Sequence, residues 1–570
     1  MRYYALVCDY DGTLASDGRV SEETLTELER LKGSGRKLIL VTGRELDDLI
    51  RVFPPLNLFE RVVAENGALL YRPATHEEKL LCGRPPEEFI GVLRERGVTP
   101  LSVGRVIVST WEPHETTVLE AIRSLGVEMQ VIFNKGAVMV LPSGVNKASG
   151  LSAALNEIGL SPHNVVGVGD AENDHAFLSL CECSIAVANA LPMVKEHADS
   201  VTTSENGAGV RELIEKLISS DLSSLESHLE RHEIPLGTRE DGHEVRIKPY
   251  GVSVLLCGTS GSGKSTFATG FLECLAEHGY QFCIIDPEGD YQNFEGGVVL
   301  GSGRQAPVID EVVKLLEKPD QNGVINLVGI PIGDRPSFFE SLLPALLELR
   351  AQTGRPHWIV IDEAHHLLPS SWAPAPATVP KELHGMMFIT VHPDHVSPVI
   401  LSSVDVVIAV GESPEQTIRI FSQNLGENPP SVPQLKLKPG EVIAWWRRLE
   451  ADPFLLRSIP PRMERRRHLR KYAEGELGPD KSFYFRGPEG RLNLRAQNLM
   501  LFIQLADGVD DETWMYHLRR GDYSHWFRES IKDESLAREV EIIEKMADIS
   551  PEESRALIKA KIEKRYTGPD

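Results

Sequence analysis

The chain is short of cysteine, of aromatic residues and of positive charge. Its seven cysteines, an odd number spread over 570 residues, cannot form the dense, even set of a disulfide-stapled secreted domain. Cys8, Cys257 and Cys283 lie in apolar runs that read as buried strands, so a reducing compartment is expected. Cys181 and Cys183 have the wrong spacing for a zinc knuckle, and no second pair matches them. No apolar run approaches the roughly 20 residues of a membrane span, and the opening Met1 to Asp9 is too short in apolar residues for a signal peptide. A cytoplasmic protein with no membrane partner is therefore expected. Sixty basic against 83 acidic side chains give a net charge of −23. That charge repels a phosphate backbone, so nucleic acid is a disfavoured partner unless a local basic patch intervenes. Internal repeats are also lacking, which excludes solenoid and propeller folds.

What is present is globular: 41% hydrophobic and 25% charged residues. At about 150 residues per domain the length allows about four domains. From residue 1 to about 218, strand-like runs (Tyr4 to Cys8, Lys37 to Val41, Val62 to Ala64, Val165 to Val168) alternate with helix-like ones (Ser21 to Leu31, Lys147 to Glu157), the pattern of a parallel α/β sheet. Residues 219–244 are polar and read as a linker with a hairpin. A second α/β region follows, broken by the proline-spaced insert Pro369 to Pro380, an expected exposed loop. Arginines gather between Arg447 and Lys471, notably Arg462, Arg465, Arg466, Arg467 and Arg470. They read as a solvated face or tether, with nucleic-acid contact as the alternative.

Asp9-Tyr10-Asp11-Gly12-Thr13 sets two carboxylates at the carboxyl end of a strand, the edge at which open parallel sheets bind ligands. Two such carboxylates can share a magnesium ion while one attacks phosphorus and the other exchanges protons. Three further elements follow in order. Thr42-Gly43-Arg44 ends a second strand with a hydroxyl, Lys147 opens a helix with a cation, and Asp170 to Asp174 follow an apolar strand with hard oxygen ligands.

Residues 1 to about 215 thereby resemble the haloacid-dehalogenase superfamily of phosphohydrolases, Cof-like type IIB. The resemblance implies that Asp9 is the nucleophile and Asp11 the general acid/base. Asp9, the Asp11 carbonyl and Asp170 would hold Mg²⁺, supported by Asp174 and Asn173. Thr42, Lys147, Gly43 and Arg44 would bind the phosphoryl group. Asn66, in Glu65-Asn66-Gly67-Ala68, would lie near the substrate entrance. The cap is expected at 83–141, inserted in a core of 1–82 and 142–218. Arg94, Arg96, Arg105, Trp111, His114 and Lys135 of the cap form no motif and read as surface or core. A small phosphorylated metabolite, especially a sugar phosphate, is the implied substrate.

Gly258-Thr259-Ser260-Gly261-Ser262-Gly263-Lys264-Ser265-Thr266 follows the apolar strand Val252 to Cys257 and leads into a helix. This is a phosphate-cradling P-loop in its proper context: backbone N–H groups wrap the phosphates of ATP, Lys264 reaches the terminal ones and Ser265 offers its hydroxyl to Mg²⁺. Trp358 to Ile361 is a second apolar strand, ending in Asp362, a candidate for the metal shell, and Glu363, a candidate for polarising water. With Ile284 to Tyr291 and Asp362 to Pro369, residues 245–450 look like the HerA/FtsK group of P-loop ATPases. Hexamer formation and an arginine finger, from Arg419 or the Arg447–Arg448 pair, are implied by that resemblance alone. Val391, where the group carries a polar residue in its sensor strand, departs from the pattern. Residues 451–476 read as a basic connector. Residues 477–570 are similar to an uncharacterised module found beside bacterial phosphatase-like domains, and their interleaved aromatics are expected to form a small packed core.

The fold expectation is thus α/β: a Rossmann-like core with an inserted α+β cap, then a parallel-sheet P-loop domain and a small, mostly helical C-terminal domain. The functional expectation is a Mg²⁺-dependent phosphatase joined to an ATP-binding and ATP-hydrolysing domain of regulatory or assembly role. The alternative is a nucleic-acid translocase with an accessory phosphatase acting on nucleotides or nucleic-acid ends.

Overall fold

The computed structural model describes residues 1–259, 261–371, 383–432, 435–449, 452–462, 482–531 and 533–566. Two compact units result, Met1–Ile459 and Pro460–Asp570. The arginines 465, 466, 467 and 470 and most of the proline-rich insert lie outside the described residues. Among the described residues no helix is long and apolar enough to cross a membrane, and all seven cysteines are free thiols.

The first unit holds two large sheets. In the first, Ala5–Asp9 is central, paired in parallel with Lys37–Val41 on one side and Val165–Gly169 on the other. Every residue of Ala5–Asp9 and Val165–Gly169 is buried, as a parallel strand covered on both faces requires. The sheet continues through Arg61–Ala64 and ends in the antiparallel strands Leu69–Arg72 and Glu77–Leu80. The helices Glu22–Gly33 and Lys147–Ile158 open on side-chain caps, Ser21 accepting from the Thr24 amide and Asn146 from the Ser149 amide.

Between these core elements stands a separate four-stranded antiparallel sheet, with Met129–Asn134 and Ala137–Pro142 as its longest hairpin, backed by Glu87–Glu95 and Glu115–Leu125. Phe89, Leu93, Val108, Val118 and Val140 form its own apolar core.

The second large sheet has eleven strands. Ser253–Gly258 runs parallel between Val406–Val410 and Met386–Thr390, and Trp358–Ile361 lies beyond the latter. Residues 219–244 do more than connect: Ile234–Thr238 pairs with Glu244–Ile247 and with Phe454–Ser458 and so extends this sheet.

A buried polar hub joins the two sheets. Glu182 receives Arg2 Nη2 at 2.6 Å and the Tyr280 hydroxyl at 2.9 Å, and it lies 2.7 Å from His163 Nδ1. His163 Nε2 in turn lies 2.6 Å from the His278 carbonyl, and Arg355 donates to the Gly159 carbonyl at 2.7 Å. Burial alone would raise the Glu182 pKa, but the bond and charge of His163, helped by Arg2, hold it well below the usual carboxylate range. A depressed acid stabilises the fold above its unfolded-state pKa and loses that stabilisation as the pH falls toward its folded value. Glu182→Ala removes the carboxylate that Arg2 Nη2, the Tyr280 hydroxyl and His163 Nδ1 share inside the hub. The expected loss is about 3–5 kcal/mol, read as a lowered urea midpoint at neutral pH.

Among the described residues the second unit holds the two-stranded pair Phe483–Phe485 and Leu494–Ala496, followed by five helices from Leu499–Gly508 to Pro551–Tyr566. Phe483, Phe485, Phe502, Trp514, Tyr523 and Phe527 are buried together, so the interleaved aromatics are a core. Among the arginines there, Arg519 donates to the Met546 and Ala547 carbonyls and Arg520 to Asp522.

Candidate active site beneath the cap and a nucleotide cradle

Four segments distant in sequence meet at the carboxyl edge of the first sheet. Asp9 ends its strand, Thr42 follows the neighbouring one, Lys147 opens a helix, and Asp170 and Asp174 follow Val165–Gly169. Lys147 Nζ donates to Asp9 Oδ1 and to Asp174 Oδ1, each at 2.5 Å, with all three side chains buried. Asp174 Oδ2 accepts from the amides of Asp170 and Ala171 at 2.8 and 2.9 Å, which fixes the turn that carries both acids. Asp9, Asp170 and Asp174 each present an oxygen within 4.8 Å of the others. Burial and the charge of Asp174 raise the Asp9 pKa well above the usual value. Burial works against the Lys147 cation, yet Asp174 and Asp9 together hold its pKa above that of ordinary lysine. Three buried carboxylates around one enclosed lysine leave hard oxygens and an excess of negative charge, which fits a small divalent cation such as Mg²⁺.

The rest of the predicted set divides. Thr42 is buried, and its hydroxyl accepts from the Arg44 amide at 3.1 Å. Gly43 and Arg44 line the same cavity. The Asp11 carboxylate stands apart from the three-acid cluster, gripped by Arg44 at 2.6 and 2.7 Å while the same guanidinium holds Asp48 at 2.5 Å. Asn173 Nδ2 donates to Asn66 Oδ1 at 3.0 Å. Asn66 Nδ2 and Asn173 Oδ1 remain buried without a protein partner. At φ +105°, Gly67 passes so close to the helix start that a Cβ there would lie 1.9 Å from the Asn146 carbonyl oxygen. The Glu65-Asn66-Gly67 turn is therefore also the seat on which the Lys147 helix rests.

Several residues at the site escaped sequence reasoning. Thr13 donates to Asp170 Oδ1 at 2.9 Å, and Asn189 donates to the Gly12 carbonyl at 2.7 Å, tying down the aspartate loop. Glu65, wholly buried, accepts the backbone amides of Arg105, Val106 and Ile107 at 2.8, 2.7 and 2.9 Å and so pins the cap to the core. Lys135, at the tip of the longest cap hairpin, reaches Asp170 Oδ2 at 2.5 Å. The expectation that it is mere surface or core is corrected. Only Thr13 and Glu65 carried a signal in the sequence, each inside a motif already singled out. The cavity between cap and core measures 710 Å³ and is walled by Asp9, Asp11, Thr42, Lys147, Trp111 and Lys135 among others.

At the second sheet Gly258, Gly261 and Gly263 all adopt positive φ, and Gly263 is the cap of the helix Lys264–Glu277. Lys264 Nζ donates to the carbonyls of Gly258 and Thr259 at 3.0 Å each. Ser260 lies outside the described residues. Thr259, Ser262, Ser265 and Thr266 flank the cradle, and the Ser262 hydroxyl is buried without a partner. Burial, reinforced by Glu363, pushes the Asp362 pKa up to about 8. Glu363 sits at φ 41°, and its Oε2 is buried without a hydrogen bond, 3.3 Å from His365 Nδ1. Thr390 of the intervening strand lies 3.1 Å from the same nitrogen. Of the candidate fingers, Arg447 is engaged by Glu427 and by the Ser402 and Val404 carbonyls, and Arg448 pairs with Asp405 at 2.7 Å. Arg419 is exposed.

Comparison with known proteins agrees with this division. A family model described as haloacid dehalogenase-like hydrolase matches residues 6–89 and 100–214, and one described as the central domain of helicase HerA matches 234–340. A phosphoglycolate phosphatase of Methanothermobacter thermautotrophicus is 30% identical over 224 residues, covering 38% of this chain and 98% of the relative. Phosphoglycolate phosphatase 2 of Saccharolobus solfataricus is 30% identical over 221 residues, covering 37% and 91%. Among solved structures, a haloacid dehalogenase-like hydrolase of Bacteroides thetaiotaomicron matches 38% of this chain and 99% of its own, at 23% identity and a TM-score of 0.33.

Proposed function

Because the chain belongs, through its first 214 residues, to the haloacid dehalogenase-like hydrolases, we propose that it is a Mg²⁺-dependent phosphatase of a small phosphomonoester that uses Asp9 as nucleophile. The observation that carries this reading is the convergence of Asp9, Lys147, Asp170 and Asp174 on one point beneath the cap. Asp9 Oδ attacks phosphorus and the bond to the leaving oxygen breaks, with Asp11 giving that oxygen its proton. Asp11 then takes a proton from water, which attacks phosphorus, breaks the acyl-phosphate and releases inorganic phosphate with free Asp9. Lys147 and Thr42 bind the phosphoryl oxygens and offset their charge. For its proton role Asp11 must loosen from the two bonds by which Arg44 grips it. Asp9, the Asp11 carbonyl and Asp170 would hold Mg²⁺, with Asp174 and Asn173 behind them. When bound, that ion supplies positive charge to the transferred group. Chelation is therefore expected to abolish turnover, and readdition of Mg²⁺ to restore it. Turnover that survives exhaustive chelation would contradict the metal requirement.

The relatives are named for phosphoglycolate, so a small acid phosphoester stands beside sugar phosphates as the proposed substrate. A comparative assay over phosphoglycolate and hexose phosphates decides between them.

The P-loop region is proposed to bind and hydrolyse ATP, with Lys264 on the phosphates, Ser265 and Asp362 at the Mg²⁺ shell and Glu363 polarising water. A regulatory or assembly role follows from its fusion to the phosphatase through the Glu182 hub. The HerA match supports the translocase alternative, which DNA-stimulated ATP turnover would favour.

A further inference from the structure

Lys135 is out of place for a cap surface residue. It occupies the turn between Met129–Asn134 and Ala137–Pro142 at φ 49°, and its side chain leaves the cap, crosses the cavity and ends on a buried acid of the core. Its ammonium lies so near the aspartate loop that a Cβ placed on Gly12 would be 3.0 Å from it.

The charges around the cavity single this lysine out. Four cations line it: Arg44, Arg51, Lys135 and Lys147. Arg44 holds Asp11 and Asp48, Arg51 also holds Asp48, and Lys147 holds Asp9 and Asp174. The remaining lining acids are engaged as well, Asp47 by Arg105 and Glu45 by Ser102. Lys135 alone among the four is carried by the cap, and the oxygen it rests on, Asp170 Oδ2, is one that a divalent cation would claim. A divalent cation on Asp170 would compete with the ammonium for that oxygen and leave Lys135 able to turn into the cavity.

We propose that Lys135 is the specificity-determining residue of the cap and that it pairs with a carboxylate carried by the substrate beside its phosphoester. The inference rests on the phosphatase reading above and narrows its substrate class to small phosphorylated acids. In the metal-free protein the lysine is parked on Asp170. In the loaded one it closes over the substrate and completes the charge balance of the cavity. A substrate lacking the carboxylate leaves the ammonium unpaired, and that is the source of discrimination.

The test compares 2-phosphoglycolate with 2-hydroxyethyl phosphate, which replaces the carboxylate by a neutral hydroxymethyl group. The wild-type protein is expected to favour the acid. In Lys135→Met the ratio of kcat/KM between the two is expected to collapse by at least about tenfold, mainly through KM for the acid, and Lys135→Arg is expected to restore part of it. A second readout needs no turnover: calorimetric titration with Mg²⁺ alone should show Lys135→Met binding the ion about tenfold more tightly, since the competing cation is gone. A wild-type enzyme that hydrolyses both esters without preference, a ratio unchanged by Lys135→Met, or unchanged Mg²⁺ affinity overturns the proposal. A protein that hydrolyses neither these nor any other phosphomonoester with Mg²⁺ present overturns the phosphatase reading and this one with it.

Discussion

Asp9→Asn is expected to lower phosphatase turnover by roughly 10⁴-fold or more, because it removes the only attacking oxygen while keeping the side chain's shape. The fold should survive. Asp9 is buried against Asp174, and burial together with that like charge raises its pKa, with Lys147 opposing the rise. An acid with a raised folded-state pKa costs stability once the pH exceeds its unfolded value, and the neutral amide escapes that cost. The metal-free variant is therefore expected to melt no lower than the parent, and ATP hydrolysis should be unchanged. Paired thermal melts and the two activity assays check this. A variant that loses ATP turnover while keeping its melting temperature would contradict the picture of two separate chemical sites.

Lys264→Ala is the reciprocal experiment. Its ammonium is held by the Gly258 and Thr259 carbonyls, from which it would turn toward incoming phosphates. Losing a preorganised cation at a charge-developing oxygen lowers turnover by about 10²–10³-fold. ATP hydrolysis is expected to fall by that amount, with phosphatase activity retained. Because the Glu182 hub packs both sheets into one unit, a modest change in phosphatase KM with nucleotide is compatible with this account. Complete loss of phosphatase activity in folded Lys264→Ala is not.

The sequence was most legible where chemistry is local. The Asp9 to Thr13 run, Thr42 to Arg44 and the P-loop are each contiguous, and each sits at a strand end, so composition and spacing place them without knowledge of long-range contacts. The helix carrying Lys147 was legible as a helix-like run, and the structure adds the reciprocal cap of Asn146 and Ser149 that starts it. What stayed hidden depends on closure. Lys135 and Asp170 meet only because the cap folds back over the core, and no periodicity in the Phe133 to Gly136 turn announces where its lysine points. Glu65 was quoted as part of a motif, yet its three cap amides lie about forty residues downstream. The hub of Arg2, His163, Glu182 and Tyr280 joins positions from both sheets, and single charged or aromatic residues at such separations look like ordinary surface or core. In the tail, interleaving of aromatics with arginines was ambiguous until packing showed the rings buried, with Arg519 on the Met546 and Ala547 carbonyls and Arg520 on Asp522.

The most direct test of the nucleophile is to find where phosphate goes. Enzyme quenched in acid during steady turnover with Mg²⁺ and phosphoester can be digested and its peptides mapped by mass. The account predicts a phosphoryl adduct on the carboxylate of Asp9, absent from the Asp9→Asn protein, which should also be inactive. An adduct on another residue, or undiminished turnover in Asp9→Asn, would contradict it.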